Sequence, residues 1–126
     1  NQTELEEYAG LDHKLSVAEL MELAESLCQK GIQTVAVSMG KDGAVFAGEN
    51  YKINCPALPV KAHSTVGAGD AMVAALAYAH DRKLQEKEMV RLCMAVSAGA
   101  VTTVGTKPPD RVLVEQLMSE VRMQML

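Results

Sequence analysis

The sequence predicts an α/β protein, and two observations carry that expectation. Apolar residues at helical spacing from Ser16 to Cys28 are followed, after Gly31, by the β-branched run Thr34-Val35-Ala36-Val37-Ser38. A second run of helix formers, Ala71 to Ala79, then follows a glycine-rich stretch beginning at Ser64. Helix, short turn, apolar strand and helix again is α/β grammar. At 126 residues the chain is one domain by length. It is 48% hydrophobic but only 3% aromatic, so its core must be aliphatic.

In chain order, Asn1-Gln2-Thr3-Glu4 opens a short acidic helix through Tyr8, stopped at Gly10. Asn1 or Thr3 caps it and Glu4 completes a capping box. Ser16 starts the next helix, in which Val17, Leu20, Met21, Leu23, Ala24, Leu27 and Cys28 share a face; Met21 and Cys28 are expected in the core. The strand Thr34–Ser38 is apolar on both faces, as in a parallel sheet covered by helices. Ser38-Met39-Gly40-Lys41-Asp42-Gly43-Ala44 reads as a tight turn, and Ala44–Ala47 resumes an extended pattern. Tyr51–Cys55 is another strand, ended by Pro56.

The stretch Ser64-Thr65-Val66-Gly67-Ala68-Gly69-Asp70 carries the chemistry. Two glycines around one alanine bring bare N–H groups to a helix N-terminus, which is an anion site with a carboxylate beside it. The plain structural reading of Asp70 is an N-cap worth about 1 kcal/mol. That reading explains Asp70 but not two glycines, and Gly69 in particular is expected to need a backbone angle that side chains disfavour. The helix runs to about His80 and turns at Asp81-Arg82-Lys83. A longer helix spans Glu86–Thr103, whose small residues Ala95, Ser97, Ala98, Gly99 and Ala100 imply close packing. Pro108 and Pro109 break the chain, and Asp110 starts a last helix with Val112, Leu113, Leu117 and Val121 on one face.

Composition excludes several classes. The net charge of −4 leaves no electrostatic footprint for nucleic acid or an anionic membrane. No apolar run approaches the roughly 18 residues of a membrane span, and the opening residues are acidic and polar, unlike a signal peptide. Cys28, Cys55 and Cys93 are widely separated, without a CxxC pair or metal spacing, and read as buried thiols in a reducing, cytoplasmic setting. His13, His63 and His80 pair with no nucleophile.

Thr65-Val66-Gly67-Ala68-Gly69-Asp70 closely resembles the C-terminal signature of the ribokinase-like (PfkB) carbohydrate kinases, and the continuation Ala71-Met72-Val73-Ala74 is most similar to 1-phosphofructokinases and tagatose-6-phosphate kinases. The resemblance implies a three-layer α/β/α fold, of which residues 1–126 form the nucleotide-binding C-terminal part, the sugar-binding half and lid lying outside it. It implies Asp70 as the general base and Gly67, Ala68 and Gly69 as an anion hole for the transferred phosphate. It places Ser38, Gly40 and Gly43 of an S-x-G-x-x-G loop, with Val96, Ala100 and Gly105, around ATP. It associates Asn1 and Glu4 indirectly with Mg²⁺. Many relatives have Asp where this chain has Ser64, which argues against ribokinase itself and leaves the anion hole untouched.

The implied reaction is ATP-dependent phosphorylation of a sugar phosphate, such as fructose 1-phosphate or tagatose 6-phosphate. The alternative is a catalytically silent nucleotide- or anion-binding or association module. A fragment of this kind is expected to be inactive alone and to self-associate through the unpaired edge of its truncated sheet.

Overall fold

The computed structural model describes residues 1–102 and 108–126, which divide into two compact units. Asn1–Pro56 and Met123–Leu126 form one, and Ala57–Arg122 the other.

In the first unit, α1 (Gln2–Tyr8) and α2 (Val17–Gln29) begin as the sequence predicts. The Asn1 side chain accepts from the Glu4 amide at 2.9 Å, and the Ser16 hydroxyl accepts from the Glu19 amide at 3.2 Å, each within a capping box. Hydrogen bonding to the Glu19 carboxylate by the Ser16 hydroxyl and, to a lesser extent, by its backbone N–H holds that carboxyl below its ordinary range. Glu6 ties α1 to the segment before α2: its carboxylate accepts from the Leu15 amide at 2.9 Å and from Gln2 at 2.8 Å, and these bonds depress its pKa. Gly31, at φ 103°, closes the end of α2 in a conformation that suits glycine.

α2 lays Leu20, Met21 and Ala24 against Val37, Val45 and Ala47 of the sheet, with Leu5 and Leu15 completing this aliphatic core. Cys28, expected in the core, is only half-buried at its margin, where desolvation raises its thiol pKa. The sheet is β1 (Thr34–Ser38), β2 (Ala44–Gly48), β3 (Tyr51–Cys55) and β4 (Gln124–Met125), in that order.

Every pairing in it is antiparallel, so the parallel setting expected for Thr34–Ser38 is not found among the described residues. The connections explain this: Met39–Gly43 and Glu49–Asn50 are too short for the crossover that parallel neighbours need. The strand buried on both faces is β2, whose Ala44, Val45, Phe46 and Ala47 are fully buried, while β1 buries only Val37. Among the described residues β2 has a strand on each side, whereas β1 pairs with β2 alone. β4 had no signal in the sequence, being just two residues paired with Ile53 and Asn54.

The second unit holds α3 (Ala68–Asp81), α4 (Glu86–Thr102) and α5 (Arg111–Glu120), with α4 packed against both others. α3 buries Met72, Ala75 and Ala79; α4 buries Met89, Val90, Cys93, Met94, Ala95 and Gly99. The small residues of α4 do permit close packing: a Cβ on Gly99 would lie 2.7 Å from Cβ of Pro109. The Asp110 side chain caps α5 through the Val112 amide at 2.9 Å. Leu117 is buried with Leu58 and Ala95, and Leu113 and Val121 pack beside them. Val112, expected on that face, is 70% exposed, because it follows the cap on the outer side of the first turn.

Candidate functional site

The stretch His63–Asp70 turns into α3 through Gly67, whose φ of 88° is left-handed and fits glycine. Gly67 is the N-cap, and no side chain caps the helix. Asp70 is therefore not the cap the plain reading made it; it lies inside the first turn, with an exposed side chain. The glycine that needs its backbone freedom is Gly67 and not Gly69, which has ordinary helical geometry. What Gly69 contributes is space, since a Cβ there would meet nothing within 4 Å.

The amides divide accordingly. Val66 donates to the Ser64 hydroxyl at 3.1 Å, Ala68 to the Thr65 carbonyl at 3.3 Å and Ala71 to the Gly67 carbonyl at 2.9 Å. Among the described residues, Gly67, Gly69 and Asp70 have no acceptor for their N–H groups. Of the three donors expected for the anion hole, Ala68 is thus already engaged, by a long bond, and Gly67 and Gly69 are free. Free amides at the positive end of a helix, with open space before Gly69, suit a phosphate group.

This start of α3 is tied to α4. The Ser97 hydroxyl donates to the Ala68 carbonyl at 3.2 Å, and the Val101 carbonyl accepts from His63 at 2.7 Å and Ser64 at 3.4 Å. Val96 and Ala100, half-buried, stand one turn apart on the same helix. Gly105 lies outside the described residues. Sequence reasoning missed Ser97 as a partner of this loop; a hydroxyl within a run of small residues was its only signal.

In the first unit, Ser38, Gly40 and Gly43 come together in the β1–β2 hairpin, around a 3-10 turn at Gly40–Asp42. Gly40 (φ 57°) and Gly43 (φ 95°) take positive angles, and the turn closes by Met39 N–H to Gly43 O at 2.8 Å and Gly43 N–H to Gly40 O at 3.1 Å. Lys41 is exposed, and Lys14 reaches Asp42 at 3.6 Å. Asn1 and Glu4 lie on α1, where Glu4 Oε2 meets the Asn1 backbone nitrogen at 2.6 Å. Among the described residues no group of three His, Cys, Asp or Glu side chains could hold a metal ion.

Residues 1–112 match the family model described as pfkB family carbohydrate kinase. The whole chain is 31% identical to a 1-phosphofructokinase of Vibrio cholerae and covers 39% of it. It is 45% identical over 94 residues to the 1-phosphofructokinase of Rhodobacter capsulatus, covering 71% of this chain and 29% of the relative. Its backbone superposes with a TM-score of 0.87 on phosphofructokinase-2 from Escherichia coli in complex with substrates and products, at 28% identity, covering 95% of this chain and 39% of that one. For ribokinase from Thermotoga maritima the TM-score is 0.74 at 28% identity, with coverage of 94% and 39%. The chain thus spans about two fifths of the length of most of these relatives.

Proposed function

The chain belongs to the pfkB family of carbohydrate kinases, and on that premise we propose that the complete protein transfers the γ-phosphoryl group of ATP to a hydroxyl of a ketohexose phosphate. The observation that supports this most is the start of α3: a helix N-terminus with no side-chain cap, open space before Gly69 and a carboxylate in the first turn. Phosphoryl transfer demands positioning and the neutralisation of spreading negative charge more than covalent help from the protein. Gly67 and Gly69 offer N–H groups for that charge, and the left-handed Gly67 turns the chain so that they stand at the helix end.

Asp70 accepts the proton that the sugar hydroxyl loses as its oxygen bonds to phosphorus. Ser38, Gly40 and Gly43 in the hairpin, with Val96, Ala100 and Gly105, are the residues we assign to the nucleotide. When bound, Mg²⁺ supplies charge neutralisation at the phosphates. Glu4 suits it through water, because the capping box uses one carboxylate oxygen of an exposed side chain and Mg²⁺ dehydrates reluctantly. Asn1 holds that carboxylate in place. Self-association of these 126 residues on their own through an unpaired sheet edge, and a cytoplasmic location, belong to the same proposal.

The test is to incubate the complete protein with ATP and, separately, fructose 1-phosphate, tagatose 6-phosphate and fructose 6-phosphate, following ADP and the phosphorus NMR spectrum. We expect a bisphosphate formed one for one with ADP from at least one of them. ADP release without a bisphosphate, or neither, refutes the reading.

A further inference from the structure

Resting on the transfer reaction above, we propose that Ser97 is a positioning residue for it: its hydroxyl sets the direction in which the Gly69 amide points. The hydroxyl donates from α4 to the Ala68 carbonyl at 3.2 Å, in partly buried surroundings. The Ala68 carbonyl and the Gly69 N–H are the two ends of one planar peptide unit. The helix already places that oxygen, and the second bond from Ser97 tightens where the hydrogen points. A carbonyl that accepts a hydrogen bond also polarises its peptide, which makes the N–H a stronger donor.

Three other helical hydroxyls bond differently. Ser26 donates to Leu23 O at 2.6 Å, Thr102 to Gly99 O at 2.8 Å and Ser119 to Gln116 O at 2.6 Å, each within its own helix and three residues back. Ser97 instead reaches across to the first residue of another helix. The two ties between α4 and the loop also differ in kind. The upstream tie, Val101 O to His63 and Ser64, is main chain and survives any side chain. The downstream tie, beside the free amide of Gly69, depends on one hydroxyl. A side chain that only filled space between α3 and α4 could be alanine, as Ala95 and Ala98 are on the same helix.

The test compares Ser97→Ala, Ser97→Cys and Ser97→Thr with the unaltered complete protein, and uses Ser26→Ala as a control that loses a hydroxyl bond far from the loop. Two quantities are read: kcat against acceptor KM, and the NMR shift of the Gly69 amide on adding inorganic phosphate. We expect Ser97→Ala to lower kcat by about three- to tenfold, the size of one lost hydrogen bond, with acceptor KM unchanged and a smaller Gly69 shift.

Ser97→Thr should restore both, and Ser26→Ala should alter neither. If Ser97→Ala does not fold, Ser97→Cys, of similar volume and a weak donor, is read in its place. A wild-type kcat with a wild-type Gly69 shift, or a loss that Ser97→Thr leaves in place, overturns the positioning role. An unaltered protein that phosphorylates no sugar phosphate, yet whose Gly69 shift shrinks on Ser97→Ala, instead refutes the proposed reaction and keeps the role of Ser97.

Discussion

The helices α1, α2 and α5 begin with a side chain holding a free amide, whereas α3 does not. Asn1, Ser16 and Asp110 cap α1, α2 and α5, two of them in reciprocal boxes with Glu4 and Glu19. α3 begins at Gly67 without a side-chain cap, although Ser64, Thr65 and Asp70 are all close in sequence. The Ser64 hydroxyl turns instead to Val66 within the loop. Glycine at an N-cap is only a few tenths of a kcal/mol worse than serine, so leaving these amides free costs little stability. The difference teaches that side chains close the first turns of α1, α2 and α5, while that of α3 has no such closure, which is what an anion site there would need.

Four substitutions would break or sharpen that contrast. The largest effect is expected from Asp70→Asn in the complete protein: turnover falls by roughly 10²–10⁴-fold, the usual contribution of a general base. Because Asp70 is not the cap, melting should move little, and near-normal turnover would remove it from the chemistry. Next is Gly67→Ala, where a side chain at φ 88° costs about 1–2 kcal/mol. It should lower the melting temperature and turnover together; thermal melting unchanged from wild type would show that the loop can relax.

Ser16→Ala is the counterpart at a capped helix. Loss of its box with Glu19 should cost about 1 kcal/mol in a denaturant titration while kcat and the KM for ATP stay as they were. A kinetic defect there would erase the distinction between the two kinds of helix start. The smallest stability change belongs to Gly69→Ala, whose methyl meets nothing and sits at a helical angle. Stability should rise by about 0.4–1 kcal/mol through the unfolded state, yet turnover should drop, because the methyl enters the space offered to the phosphate. Higher stability with full turnover would mean that this space is not used.

Much of this contrast was legible beforehand because capping is local. Asn1 with Glu4 and Ser16 with Glu19 are three residues apart, and a box of that spacing forms wherever a helix forms. The hairpin at Ser38–Ala44 was legible for the same reason, since Gly40 and Gly43 supply the positive angles its turn requires. The candidate site was readable only as a contiguous motif. Which of its glycines takes the left-handed angle, and that Asp70 falls within the first turn of the helix, depended on where α3 starts.

The sequence by itself determined the order α1, α2, β1, β2, β3, α3, α4, α5, the caps of α2 and α5, and Asn1 as one of two candidate caps for α1. These follow from interactions spanning a few residues, whose geometry the backbone dictates. Only the tertiary structure decided that β2, and not β1, is buried on both faces, for burial depends on what packs over each face of a strand. It likewise decided that Ser97 would meet Ala68, 29 residues away, because a hydroxyl cannot announce its partner until two helices have packed.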